Sequence, residues 1–292
     1  MKYAVIGAWA STHAVARQCR VLGVSRSGYY AWRGRAQSAR EAQDRRLLVH
    51  VRRVHLESRQ RYGALKTWRE LTRQGTVCGK HRIARLRRAH GIEALRRRRF
   101  KATTYARSGG WAAPDRVRRV FQAPAPDRLW VGDVTYLATR AGWLYLAMLM
   151  DLYSRRIVGW SLAERNDLAL VRGALSMALV RRRPRPGLIH HTDRGRLYAS
   201  GEYRQILDEH GVLPSMGRTG DCYDNAPAES FFSTLKNELV HGIHFQDRDH
   251  ARREVVMYIE GFYNRRRLHQ ALGYLSPTAF EHRLAVPSLT RP

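Results

Sequence analysis

Acidic residues are scarce in this 292-residue chain: 24 Asp and Glu stand against 53 Lys and Arg, a formal net charge of +29. A surplus of that size exceeds what solubility needs and points to a polyanionic partner, with nucleic acid the natural candidate. Cysteine is scarce too. Cys19, Cys78 and Cys222 are scattered, which excludes a disulfide framework and a Cys-x-x-Cys zinc site and fits a reducing, cytoplasmic setting. Long apolar runs are missing: the strongest, residues 143–150, is too short to span a bilayer, so no membrane segment is expected. The short apolar stretch 3–10 runs directly into a helix-turn-helix-like pattern, which argues against a signal peptide. No heptad segment is present, so the chain carries no coiled coil of its own.

The charge that is present is uneven. Residues 1–126 hold 30 Lys and Arg against 6 Asp and Glu, whereas residues 127–292 hold 23 against 18. Binding charge and chemistry are therefore expected in different halves. Val15, Cys19 and Leu22, followed by Gly23 and Ser25 and then Tyr29, Tyr30 and Trp32, predict a helix, a glycine turn and a second helix capped by Ser25. A second such outline runs from Tyr62 and Gly63 to Gly91 and Ile92. Its last helix turns Ile83 and Leu86 inward among Arg82, Arg85, Arg87 and Arg88, which are expected to meet DNA. The run Arg96, Arg97, Arg98 and Arg99 reads as a phosphate-binding segment.

These patterns predict a helical N-terminal region over 1–58, a second basic helix-turn-helix-like unit over 59–100, and a linker over 101–126 rich in Gly and Pro. A catalytic α/β domain over 127–284 and a tail over 285–292 follow. Within the domain, alternation over 130–139, an apolar run to Asp151 and a third segment at 157–162 predict three strands. An amphipathic helix over 167–182, a strand ending at Asp193, a helix near 200–210, a strand at 212–216 and a helix from about 225 to 240 complete a mixed five-stranded sheet with flanking helices.

Three carboxylates punctuate that domain: Asp133 within the first strand, Asp193 at the end of the fourth, and Glu229 on the last helix. Thirty-five residues separate Asp193 from Glu229. Carboxylates from separate elements of a basic chain are the oxygen-rich set that holds two Mg²⁺ or Mn²⁺ ions against a phosphodiester, each acid acting as an ionised ligand. On the last helix Phe231, Leu235 and Leu239 form the buried stripe, which leaves Glu229 for the site and Lys236 for DNA or for a solvated face. Beside Asp193, Arg194 and His191 are placed to touch phosphate, although His191 also fits a satisfied strand histidine. Asp151 reads as a turn residue, Asp221 and Asp224 as helix caps, and Trp130 and Tyr136 as core.

Trp130-x-x-Asp133-x-Thr135-Tyr136, His191-x-Asp193-Arg194-Gly195 and Asp224-Asn225-Ala226-x-x-Glu229 resemble, in order, the three acid motifs of the insertion-sequence-three family of bacterial transposases, in its second-reading-frame product. Tyr263-Asn264-x-x-Arg267-x-His269, continuing through Leu272, Gly273 and Tyr274 to Ser276 and Pro277, resembles the segment that closes the core there. The resemblance implies a ribonuclease-H-like DDE core shared with retroviral integrases, cleavage at element ends and strand transfer into target DNA. It further implies double-stranded terminal repeats and target as partners, a homo-multimer on DNA, fusion with an upstream-frame product, and action at the bacterial nucleoid. Arg196 and Leu197 depart from the small and amide residues that the family carries there. Two other readings stand beside it: a catalytically silent DNA-binding protein or transposase remnant, and a simple nuclease on the same core.

Overall fold

The computed structural model describes residues 2–34, 38–95, 111–217 and 222–285. Three short helices come first: α1 (Lys2–Ala8), α2 (Val15–Val21) and α3 (Arg26–Arg33). They close around Ile6, Cys19 and Tyr29. Ser25 caps α3 as its sequence context predicts, accepting the Gly28 N–H.

The next three helices are α4 (Ala39–Glu57), α5 (Ala64–Arg73) and α6 (Lys80–Ala89). Ser38 and Glu41 start α4 with a reciprocal capping box, which satisfies two amide groups that the first turn leaves without helical partners. Leu47, Val51 and Val54 of α4 pack with Leu71, Ile83 and Leu86. Helix α4 thus belongs with the second basic unit, whereas a boundary at 58 separates them. That apolar cluster does not stop at the unit's edge. It continues into the strands of the α/β domain through Val131, Leu144 and Leu146.

The sheet has strand order β3-β2-β1-β4-β5, from β1 (Leu129–Thr139), β2 (Gly142–Asp151), β3 (Ile157–Ala163), β4 (Ile189–Thr192) and β5 (Leu213–Met216). Pairs β1/β2 and β2/β3 are antiparallel and β1/β4 and β4/β5 parallel, so the sheet is mixed, as expected of a ribonuclease-H-like core. Strand β2 is apolar on both sides because it is covered on both sides. Leu144, Leu146, Met148 and Met150 face one cluster while Ala147 and Leu149 face the other.

Helix α7 (Leu168–Arg182) covers the second face, with Ala174, Leu175 and Ala178 buried. Its approach to β3 requires Gly159, since a Cβ there would meet the Ala174 carbonyl at 2.2 Å. Helix α8 (Gly201–Glu209) lies near β5, and α9 (Ala226–Glu238) and α10 (Arg248–Val256) cover the first face. After α10 a π-helical turn, Met257–Tyr263, leads toward α11 (Pro277–Ala285). Asn264 there donates to the Ile157 carbonyl and accepts its N–H, which closes the core around the start of β3.

Residues 111–126 are not a loose linker. Ala113 and Val117 are buried, the Arg116 N–H donates to Ser215 Oγ at 2.9 Å, and Asp115 turns the chain by accepting the Val117 and Arg118 N–H groups. Side-chain anchors hold this segment on the sheet without any helical or strand period. Residues 101–110 and the tail from 286 lie outside the described residues. Among those described, no helix is long and apolar enough to cross a membrane.

Candidate active site

Strand register brings the first two acids together. Val131 pairs with His191 at the end of the parallel β1/β4 ladder; Asp133 and Asp193 follow two residues beyond it, Asp133 on the Val131 face of β1, and the Asp193 charge acts on Asp133. That face is the one covered by α9. Phe231 and Leu235 anchor the helix in the core beneath it, while Glu229 in its first turn is exposed. Asn225, just before α9, donates to the Gly132 carbonyl at 3.2 Å and ties the helix start to the strand beside Asp133.

The electrostatics of the three acids are those of uncompensated neighbours. Burial, then the Asp193 charge, and more weakly Glu229, push the Asp133 carboxyl up to about 8, against lowering by the Val134 N–H and Lys236. Burial also raises Asp193, which accepts the Gly195 N–H at 2.9 Å, and it raises Glu229. The charged form of Asp133 is disfavoured both by lost hydration and by like charge. Tyr198 is buried beside the pair, and its hydroxyl is raised by burial, by Tyr203 and by both aspartates.

Among the described residues no three His, Cys, Asp or Glu side chains converge on a single metal position. The donor chemistry nevertheless fits a hard divalent cation: every candidate ligand atom is a carboxylate oxygen, and Asp133 is left facing two like charges.

The neighbours expected from the sequence divide. His191 is buried, with Nδ1 on Ser215 Oγ at 2.9 Å and Nε2 on the Asp224 carbonyl at 2.8 Å. It is the satisfied strand histidine and does not reach phosphate. Arg194 Nε donates to the Gly217 carbonyl at 2.7 Å and stays partly exposed. Lys236 lies over the Tyr136 ring at 5.2 Å and interacts with Asp133; burial lowers its pKa while Asp133 raises it.

Tyr136 corrects the expectation of a core residue, being 42% exposed against Trp143, whereas Trp130 is fully buried. Asp151 is the expected turn residue, accepting the Tyr153 N–H. Asp224 pairs with Arg119 Nε at 2.6 Å and does not cap α9. Asp221 lies outside the described residues. Helical or strand period gives no sign of Asn225 or Arg119 as site-building residues, although Asn225 stands in the third acid motif.

On α6, Arg82 and Arg85 both bond the Asp44 carboxylate of α4. Arg87 turns inward, buried and within 3.3 Å of Thr67 Oγ1, so it packs the unit and does not face DNA. Arg88 is exposed. Arg96, Arg97, Arg98 and Arg99 lie outside the described residues.

The sequence has counterparts in known proteins. Integrase core domain models match residues 123–222 and 210–277, and an HTH-like domain model matches 42–100. The transposase InsF for insertion sequence IS3A of Escherichia coli (strain K12) is 40% identical over 285 residues, covering 97% of this chain and 99% of that protein. The chain belongs to the IS3 family of transposases.

The IS3-family chain is thus a transposase with an integrase core, a polynucleotidyl transferase. The insertion element IS600 uncharacterized 31 kDa protein of Shigella sonnei is 44% identical over 265 residues, covering 91% of this chain and 97% of that protein. Among solved structures, the HTLV-2 integrase catalytic core domain in complex with magnesium is similar with a TM-score of 0.42 and 16% identity, over 55% of this chain and 99% of that one. The simian T-cell lymphotropic virus intasome, in complex with a PP2A regulatory subunit, gives 0.47 and 14% over 77% and 76%.

Proposed function

We propose that this transposase cuts DNA at the ends of its insertion element and joins the freed 3′ ends to target DNA, with Asp133, Asp193 and Glu229 as ligands for two Mg²⁺ or Mn²⁺ ions. The observation that carries the reading is the register that sets Asp133 beside Asp193 under α9, with Asp133 raised by both other acids. Three carboxylates that repel one another in a basic protein are stabilised by a cation, and the phosphodiester brings further negative charge for that cation to bind. Bound divalent ions supply the positive charge that activates the attacking oxygen and stabilises the leaving one.

The chain's own residues position and grip. The Gly195 N–H holds one oxygen of Asp193, and Asn225 fixes the start of the helix that presents Glu229. Lys236 and Arg194 border the acids and are assigned to the DNA backbone, where cations add affinity without reading sequence. Arg88 on α6, with Arg82 and Arg85 partly engaged by Asp44, is assigned to duplex DNA held by the helical units; Arg96, Arg97, Arg98 and Arg99 follow in sequence and are assigned to phosphate. Transposition unites two element ends, so a homo-multimer on DNA is proposed, as is fusion to an upstream-frame product.

The test is cleavage and strand joining on DNA spanning the flanking repeats, with Mg²⁺ or Mn²⁺, comparing the full chain with Asp193→Asn. Metal-dependent joined products that vanish in the variant support the proposal. Binding without products from either protein sinks the catalytic reading for the chain acting alone, and cutting without joining favours a nuclease.

A further inference from the structure

Among the described residues β1 has no strand partner on its β4 side beyond Val131, because the β1/β4 ladder covers only Leu129–Val131. Three residues past Asp133 on this open stretch, about 10 Å along the strand, stands Tyr136. Its ring meets Trp143 edge to face, with centroids 5.0 Å apart and planes at 88°. The two aromatics are 42% and 51% exposed, although each is large enough to be a costly group to leave in water. Lys236 reaches past the strand edge from α9, so that one ammonium lies over the Tyr136 ring at 5.2 Å and also acts on Asp133. The aromatic surface is therefore joined to the acid cluster through a single cation.

We propose that Tyr136 and Trp143 form a stacking platform for an unpaired DNA base displaced beside the acids, with Lys236 on the adjoining phosphate. Every base has a π-face, and two exposed rings set edge to face beside an ammonium offer one ring face to a base and a cation to its phosphate, the two parts of a nucleotide. A paired duplex cannot offer a base face to such a surface; a strand opened next to the cut can. The pair would keep the opened strand from re-pairing while its neighbouring phosphate lies at the acids. This inference rests on the proposed DNA strand chemistry and adds a base contact to it. A cross-strand aromatic pair that merely stiffens the β1/β2 hairpin would contribute to stability without any base dependence, and that difference sets the test.

The experiment uses the full chain carrying Asp193→Asn, so that no turnover intervenes. The probes are a single-stranded oligonucleotide containing 2-aminopurine and a fully paired duplex of the same sequence. Binding of the single strand should quench the 2-aminopurine fluorescence. Tyr136→Ala and Trp143→Ala should each abolish the quench and weaken single-strand affinity roughly fivefold or more, with duplex affinity unchanged. Tyr136→Phe, which keeps the ring, should retain the quench. An unchanged quench in the alanine variants overturns the proposal, as does an equal fall in duplex and single-strand affinity. Loss of self-association with base quenching intact also overturns it and makes the patch an interface between copies of the chain.

The two readings fail separately. A quench that ignores both aromatics, in a protein whose parent still joins DNA, removes the platform alone. Aromatic-dependent quenching in a protein whose parent joins nothing removes the strand-transfer reading alone.

Discussion

Two groups of three carboxylates in the same domain differ in whether arginine answers them, although burial still raises Asp151 of the paired group to about 6. Asp127, Asp151 and Glu281 surround Arg182, whose guanidinium meets them at 2.8, 3.7 and 3.0 Å, and Arg156 adds a second bond to Glu281 at 2.6 Å. Although burial raises it, bonds from Ser154, Arg182 and Arg156 hold the Glu281 carboxyl below the usual range. Asp133, Asp193 and Glu229 form no ion pair with an arginine among the described residues, and all three are raised. The contrast arises in a protein with more than twice as many cationic as anionic side chains, so supply of arginine is not the reason. Acids that fasten the fold are answered by arginine from within; the other three are left to be ionised by a cation that arrives.

The largest effect should come from breaking the neutralised group. Arg182→Met leaves Asp151, whose side chain is fully buried, without its cation and should cost about 3–5 kcal/mol, the scale for removing one partner of a buried pair. Urea unfolding measures it. A loss near zero would mean that the two groups are not treated differently after all. In the other group, Asp193→Asn should leave stability intact while strand joining falls on the order of 100- to 1000-fold, the scale for losing one group that stabilises charge in a transition state. Equal joining by both proteins would erase the contrast.

Tyr62→Phe probes satisfaction of a different kind. The Tyr62 hydroxyl accepts the Leu268 N–H at 2.7 Å and donates to the Arg266 carbonyl. Its removal should cost about 1–3 kcal/mol, because the buried amide is left without a partner. Thermal unfolding should register the loss; an unchanged midpoint would show that water replaces the hydroxyl.

A further effect is a pH dependence. Asp133 lies near 8 when folded and near 3.9 when unfolded, so the folded protein holds the proton more tightly in between. Its contribution to stability is complete below the unfolded value and is lost as pH rises toward about 8. Metal-free melting curves for wild type and Asp133→Asn should therefore converge in slope at alkaline pH, with the wild type falling faster between. Added Mg²⁺ should offset that fall, since a ligand that binds only the folded state stabilises it. Parallel curves without metal would contradict the raised carboxyl.

Much of the architecture was legible because period and packing agree. The alternation of β1, the two-sided apolarity of β2 and the stripe on α7 each announce an element and the face it buries. A cap was legible as well, at Ser25, whereas the Asp167 cap of α7 was not singled out. The acids were legible as residues in a spaced motif, but their meeting depends on the pairing of β1 with β4 across 60 positions of chain, which no local pattern encodes. Residues 111–126 were misread since their anchoring is a matter of single contacts. Tyr136 departs from the expected core position because a strand face is buried only where a layer covers it, and among the described residues the Tyr136 side of β1 stays open while Leu137 beside it is buried. His191 was open between two roles until its hydrogen-bond partners, 24 and 33 residues away, were known.

The continuity of one apolar cluster from α4–α6 into the sheet, riveted by the Tyr62 hydroxyl, leaves no hinge among the described residues between the helices assigned to gripping DNA and the acids assigned to cutting it. On the proposed function, the two act like the fixed jaws of a calliper. The place of the cut is then a length, counted in base pairs from the grip, and the bases at the cleavage point need carry little of the address themselves.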